Sequence, residues 1–376
     1  MSQGFARHGM TDSLSKTGTW ARQSDWLALP SITALDEKIV AIHAVGPADN
    51  WCAFTCTGNY TVDWGDGDAA ENVASGVTVY HNFAWADYAD STLTSRGYRQ
   101  AIVTITPQDG ASLVTVNFYV KHNQSGLPNG YTTGWLDMAI ALPNCTTFTF
   151  GSTTGSTVIH AFLEQFTIVS APAMTSCTNM MAQCRNLRNF DDDSGTFGAL
   201  SGDFQYMFHN CSSLSTIPLI DTSSGTSFAN MFHNCSSLST IPLIDTSSGT
   251  SFASMFQNCS SLSTIPLIDT SSGTSFASMF YNCPSLSTIP LIDTSSGTSF
   301  ASMFYNCSSL SVGATSGAKY SISYASCRLN STQLDAIYTN LGTAESGQSV
   351  TVTGNYGTSG DDPSIATAKG WTVTGS

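Results

Sequence analysis

The chain of 376 residues carries twelve Lys plus Arg against twenty-six Asp plus Glu, a net charge of -14, and charged residues make up only 10% of it. Soluble proteins usually carry roughly 25%, so Ser, Thr, Asn and Gly must wet this surface. An acidic chain without a basic run offers no stripe to a phosphate backbone, which excludes nucleic acid as an expected partner.

Met1 to Pro30 is polar and punctuated by Trp20 and Trp26, so residues 1–32 are expected to be an arm that docks on something else. The opening MSQGFARHGMTDSLSKTGTW holds no apolar run of the length a secretory signal needs, and no stretch of 18 apolar residues follows anywhere. Neither export by its own signal nor membrane insertion is therefore expected. From 33 to 121 the segments Ile39 to Val45, Trp51 to Cys56, Tyr60 to Trp64, Thr78 to Phe83, Ala101 to Thr106 and Leu113 to Val120 are short and rich in β-branched and aromatic residues. Gly, Asn, Asp and Pro separate them, which predicts a β-sandwich. Residues 122–144, with Gly126, Pro128, Asn129, Gly130 and Pro143, are expected as a linker.

Internal repetition decides the next block. The unit CSSLSTIPLIDTSSGTSFANMFHN, counted from Cys211, recurs from Cys235, Cys259 and Cys283 after 24 residues each time, with 21 of the 24 columns invariant. Cys307 opens a degenerate unit, and TSCTNMMAQCRNL (Thr175 to Leu187) carries the pattern upstream. One unit places Phe228, Met231, Phe232 and Cys235 at i, i+3, i+4 and i+7, the apolar stripe of a short amphipathic helix with Ser227 as its cap. Leu238, Ile241, Leu243 and Ile244 then form an extended apolar segment, in which Pro242 excludes helix and limits pairing. Asp245 to Ser251 returns the chain to the next helix. A single coil cannot bury its apolar side, so coils must stack and share a core. The prediction is an α+β repeat protein, with a solenoid of 24-residue coils over 145–310. Residues 311–376 would cap it: a helix capped by Ser331 with Leu334, Ile337, Tyr338 and Leu341 on one face, a strand from Gln348 to Thr353, a helix from Asp362-Pro363 to Gly370, and a last strand from Trp371 to Thr374.

Stacking turns each repeat column into a ladder. Cys184, Cys211, Cys235, Cys259, Cys283 and Cys307 are expected as reduced thiols in the core, assembled in a reducing cytoplasm, because eleven cysteines is an odd count and six of them keep the register. Asn210, Asn234, Asn258, Asn282 and Asn306 suit left-handed backbone or coil-to-coil bonding. Asp221, Asp245, Asp269 and Asp293 stand close enough to repel, so they are either solvated turn formers or a calcium ladder. The columns that vary are Asn230, Ser254, Ser278, Ser302 and, three residues on, His209, His233, Gln257, Tyr281, Tyr305. Both are expected beside the apolar stripe, facing outward as an interaction surface. Drift at an unconstrained position competes with an aromatic contact strip at Tyr281 and Tyr305.

The pattern SFxxMFxNCxSLxxIPxIDTSxGT resembles the BspA-type leucine-rich repeats of bacterial and bacteriophage surface proteins, which implies a right-handed solenoid used for adhesion or recognition. Tyr60-Thr-Val-Asp-Trp-Gly-Asp-Gly67, with Tyr80-His81 and Ile102 to Thr106, resembles the PKD-type immunoglobulin-like domain and implies an adhesive or spacer module. Gly18 to Leu27 is similar to the openings of bacteriophage virion proteins. Neither paired acids nor a nucleophile with its base nor a phosphate loop stands out, so no enzyme and no cofactor is expected. The resulting expectation is a phage fibre or decoration protein that associates with itself, as a trimer in the fibre-like case, with other virion proteins and with a host glycan or protein. A bacterial cell-surface adhesin is the alternative.

Overall fold

The computed structural model describes residues 21–47, 50–128, 130–152, 158–192, 203–311 and 315–375. The chain divides into two units, Met1–Thr175 with Gln183–Gly198, and Ser176–Ala182 with Ala199–Ser376. No helix among the described residues is long and apolar enough to cross a membrane.

In the first unit the strands are β1 (Lys38–Val45), β2 (Trp51–Thr57), β3 (Tyr60–Asp63), β4 (Glu71–Val73), β5 (Thr78–Asn82), β6 (Arg99–Pro107), β7 (Thr115–Asn117), β8 (Tyr131–Thr132), β9 (Trp135–Ala141), β10 (Thr147–Thr149), β11 (Val158–Ile159), β12 (Gln165–Ser170) and β13 (Asn189–Asp192). β1, β2, β3, β5, β6 and β7 form where β-branched and aromatic residues predict them. A seven-stranded sheet runs β13-β12-β9-β1-β6-β3-β4 and a four-stranded sheet runs β10-β7-β2-β5. Rings from the two sheets meet in the interior: Phe54 of β2 lies 6.0 Å from Tyr60 of β3, and Phe148 of β10 lies 5.4 Å from Phe166 of β12.

Two expectations fail here. The supposed linker 122–144 contains β9, which is wholly buried and pairs antiparallel with β1 on one side and parallel with β12 on the other. Its signal was hidden by Asp137, a carboxylate in mid-strand, which the structure pairs with the Arg22 guanidinium at 2.7 Å. The described part of the arm is likewise not free. Trp26 is buried against Ile42, Ala44, Tyr98 and Leu136, and its indole N–H donates to the Tyr98 hydroxyl at 3.0 Å. It completes the unit's own core and is not offered to a partner, while Trp20 lies outside the described residues.

The second unit is a β-solenoid of about eight turns with few helices. Parallel bridges step through Asp203, Ser227, Ser251, Ser275 and Ser299, then from Phe300 to Ile322. The strands β14 (Ile292–Asp293) and β15 (Thr315–Ser316) pair beside them, and a parallel sheet of β16 (Ile322–Ser323), β17 (Ser349–Thr351) and β18 (Thr372–Thr374) carries the stacking on. The helix α1 (Ser331–Asn340) leaves between β16 and β17, and α2 (Ser364–Thr367) between β17 and β18. The cap of α1 is Asn330 and not Ser331: its side chain accepts from the Gln333 N–H while the Gln333 side chain accepts from the Asn330 N–H, a reciprocal capping box.

The amphipathic helix expected at Phe228 to Cys235 does not exist. The segment is a chain of overlapping turns, in which Met231 N–H reaches Phe228 C=O at 3.2 Å, His233 reaches Asn230 at 3.1 Å and Cys235 reaches Phe232 at 3.1 Å. Between them the N–H groups of Phe228, Asn230, Phe232 and Asn234 donate to the next coil, to Ser251, Ala253, Met255 and Gln257 at 2.8 to 2.9 Å. An α-helix would turn the Phe232 and Asn234 donors back on the carbonyls of Phe228 and Asn230, four residues earlier. Here every second N–H is spent on the neighbouring coil, and positive φ at Asn230 (58°) and Asn234 (61°) gives the backbone the needed alternation. On the return path the direction reverses, with Ser239 N–H donating to Ser215 and Thr250 N–H to Thr226 in the preceding coil.

The interior is a set of ladders. Phe204, Phe228, Phe252, Phe276 and Phe300 stack at 5.5 to 5.8 Å between centroids, and Phe208, Phe232, Phe256, Phe280 and Phe304 do so at 5.6 to 5.7 Å. Burial of each ring contributes about 2–3 kcal/mol. Gly225, Gly249, Gly273 and Gly297 are glycine because the rings lie against them: a Cβ on Gly249 would come within 2.8 Å of Phe252 Cζ and 2.9 Å of the Thr246 carbonyl oxygen.

Candidate interaction surface

Stacking identical coils brings each column of the sequence into a row, and the rows differ in what they expose. The cysteine row is inward. All eleven cysteines are buried and none is in a disulfide, and in the repeats each thiol donates to a phenylalanine carbonyl one coil back: Cys235 to Phe208 at 3.1 Å, Cys259 to Phe232 at 3.0 Å, Cys283 to Phe256 at 2.9 Å, Cys307 to Phe280 at 3.0 Å. Cys211 reaches the Met181 carbonyl at 3.1 Å, and Cys184 falls in the first unit. Burial pushes the thiols of Cys235, Cys259 and Cys283 well above their ordinary range, and that of Cys307 up to about 12. A protonated S–H is what a carbonyl acceptor requires, so the row is built for packing and not for thiolate chemistry.

The asparagine row is a continuous amide chain. Asn234 Nδ2 donates to Asn210 Oδ1 at 2.6 Å, Asn258 to Asn234 at 2.7 Å, Asn282 to Asn258 at 3.0 Å and Asn306 to Asn282 at 2.6 Å. Each also holds a φ of 57° to 63°, the left-handed region that Asn tolerates better than other residues with a Cβ.

The aspartate row is a row of turns. Asp221, Asp245 and Asp269 each accept from the backbone N–H and the hydroxyl of the serine two residues on, at 2.7 to 3.0 Å, and Asp293 accepts from the Ser295 N–H at 2.8 Å. These bonds hold the carboxyls of Asp245 and Asp269 below the ordinary range, against a small opposing push on Asp269 from Asp245. Among the described residues no group of three or more His, Cys, Asp or Glu is arranged to hold a metal.

The two variable rows are of different kinds. Asn230, Ser254, Ser278 and Ser302 all sit at φ of 54° to 58°, half-buried except for the exposed Ser302. Backbone geometry, and not only an outward-facing side chain, sets what they are. His209, His233, Gln257, Tyr281 and Tyr305 form the other row, which emerges progressively: His209 is buried, the next three are half-buried and Tyr305 is 45% exposed. Neighbouring rings touch along it, with His209 and His233 at 4.8 Å between centroids and Tyr281 and Tyr305 stacked at 5.2 Å and 18°. Burial, then the neighbouring His233, lowers the His209 imidazole to about 4, and burial lowers that of His233, so both are neutral near pH 7.

The leucine row departs from the expected apolar side. Leu243 is 62% exposed, and its counterparts Leu219 (68%), Leu267 (62%) and Leu291 (51%) are exposed too. In the first unit Asp137 and Glu164 are buried carboxylates that no local sequence signal marks. Arg22 holds the first, and Arg96 and Arg188 face the second, so they pin strands and arm together.

A family model described as "Mycoplasma protein of unknown function, DUF285" matches residues 202–316, under a third of the chain, and those are the residues of the near-identical coils. No curated protein and no solved structure matches.

Proposed function

We propose that this chain is a non-enzymatic structural and recognition protein of a bacteriophage particle, a tail or head fibre or a decoration protein. In this reading residues 33–121 are a PKD-like sandwich, 145–310 a right-handed solenoid of 24-residue coils, and 311–376 the cap that hides its last apolar face. The particle is assembled in the host cytoplasm. The chain associates with itself and with other virion proteins, and the solenoid meets a host glycan or protein.

The observation that carries the reading is the row from His209 to Tyr305. On a scaffold whose other columns scarcely change, this row changes from imidazole to amide to phenol and rises to the surface at a stacked pair of tyrosines. An aromatic face with a polar tip suits both a sugar ring and a protein surface. Uncharged neighbouring columns, Ser278 and Ser302 before the tyrosines and Asn282 and Asn306 after them, keep long-range charge out of the encounter, leaving contact shape to discriminate.

The test is a double variant, Tyr281→Ser with Tyr305→Ser, scored for binding to host cells or for incorporation into particles. Loss of either, at unchanged melting temperature, supports the reading. Unchanged binding and incorporation refute it. The bacterial adhesin remains the second reading, favoured by the match to a family described from Mycoplasma, which is a cell and not a virus. Mass spectrometry separates the two, by finding the chain in purified particles or in a cell envelope.

A further inference from the structure

The exposed leucines follow from the prolines beside them. Pro218, Pro242, Pro266 and Pro290 fix φ near about -65° and favour an extended backbone of about three residues per turn. Residues three apart then share a face, so Ile217 and Ile220 are both buried and Leu219 between them is thrown outward. The same step recurs at Leu243, Leu267 and Leu291. Single exposed apolar residues are ordinary on any surface. Four in one unbroken row are not scattered.

We infer that this ridge is the contact through which two copies of the chain associate, side by side with their stacking axes parallel. The inference sharpens the self-association included in the functional reading and holds whatever the solenoid recognises on a host.

Spacing selects the occupant. Coils joined by backbone hydrogen bonds stand about 4.8 Å apart, whereas an extended peptide repeats its same-face side chains about every 6.7 Å. A helix repeats about every 5.4 Å. Over the three steps of the ridge a peptide strand drifts out of phase by about 6 Å and a helix by about 2 Å. A second copy has the same period and stays in phase from Leu219 to Leu291.

Charge selects the arrangement. On one flank of the ridge lies the exposed row Asp221, Asp245, Asp269, Asp293, and on the other lie exposed hydroxyls such as Ser239 and Thr240. A two-fold axis across the stacking direction would set one aspartate row on the other. A two-fold axis along the stacking direction sets each leucine ridge between the partner's leucines and hydroxyls, with the two aspartate rows on opposite rims. Only the second avoids facing like charges.

Area points the same way. The leucines with their half-buried prolines make an apolar strip on the order of 500 Å², the size of the largest, often functional, patch on a soluble monomer. The flanking hydroxyl rows extend it toward the roughly 800 Å² per partner of a standard interface.

The experiment is sedimentation equilibrium on the full chain, wild type against Leu243→Ser with Leu267→Ser. The expected result is a wild-type dimer whose dissociation constant rises on the order of 100-fold in the variant, with equal melting temperatures when both proteins are melted well below the wild-type dissociation constant, because the leucines lie outside the core. A wild type that stays monomeric at about 100 μM, or an oligomer indifferent to the double substitution, overturns the inference. The second of these results would leave self-association standing on another face. A single Leu243→Cys tests the arrangement: parallel copies bring residue 243 to residue 243 and cross-link on mild oxidation, and a cross-link that forms only with Leu243→Cys and Leu267→Cys together overturns the parallel axis.

Discussion

Replacing Asn258 separates two roles that one side chain plays in the solenoid. Its amide donates to Asn234 at 2.7 Å and accepts from Asn282 at 3.0 Å, while its backbone holds a φ of 62°. Asn258→Gly keeps the left-handed backbone without steric cost and removes both side-chain bonds. At about 1 kcal/mol for each neutral hydrogen bond, and with the site half-buried, the expected loss is about 1–2 kcal/mol. Asn258→Ala removes the same bonds and also leaves the Cβ in the left-handed region without the polar side chain that lets Asn tolerate it, adding about 1–2 kcal/mol, for a total of about 2–4 kcal/mol. The assay is urea unfolding of both variants followed by circular dichroism, compared as midpoint shifts at a common slope. The Ala variant must unfold first. If Gly and Ala shift alike, the backbone argument is wrong; if neither shifts, the amide chain contributes nothing to stability.

Other expectations follow from the same geometry. Gly249→Ala sets a Cβ 2.8 Å from the Phe252 ring and 2.9 Å from a backbone carbonyl, so it should destabilise by about 1–3 kcal/mol; a melting temperature equal to wild type would contradict the ring packing described. Ser278→Asn places at a φ of 56° the residue found at the equivalent Asn230, and should raise the unfolding free energy by about 0.5–1 kcal/mol; a fall would mean that something other than backbone conformation sets this column. Burial lowers the imidazoles of His43 and His160 to about 3, with His81 adding to the push on His43. The unfolded chain therefore binds these protons first, from about pH 6.5 downward. Stability conferred by keeping them neutral is complete above that pH and declines as the pH falls toward 3. Denaturant midpoints measured from pH 7.5 to 5, above the carboxylate range, should fall steadily, and a flat profile would refute the assignment.

The interior of the solenoid was legible because period and residue type agree: Phe, Met, Cys and Ile in a fixed register can only be shared by neighbours. The local backbone was not. A stripe at i, i+3, i+4 and i+7 fits a helix, but over eight residues it fits a chain that turns every four residues just as well. The discriminating signal was Asn230 and Asn234, four apart, the residue type that accepts positive φ. Apolar type alone puts Leu243 inside, whereas the three-residue step that Pro242 imposes turns it outward. In the first unit, Asp137 disguised a buried strand, since its partner Arg22 lies 115 residues away in sequence. For the same reason Trp26 looked like part of a free arm: nothing local announces that Tyr98 and Leu136 receive it. The emerging row from His209 to Tyr305 was visible as variation, but its gradient of exposure and its ring contacts belong to the stacking.

The sameness of the central coils makes length a separable property of the fold. Excising residues 235–258 would bring the coil that opens at Cys259 directly onto the one that opens at Cys211. The Cys259 thiol would find the Phe208 carbonyl, the amide of Asn282 the side-chain carbonyl oxygen of Asn234, and the Phe276 ring the face of Phe228, since each new neighbour repeats the one removed. Because coils add at about 4.8 Å apiece, gene-level slippage between such copies would shorten or extend the molecule in fixed increments without disturbing a single internal joint.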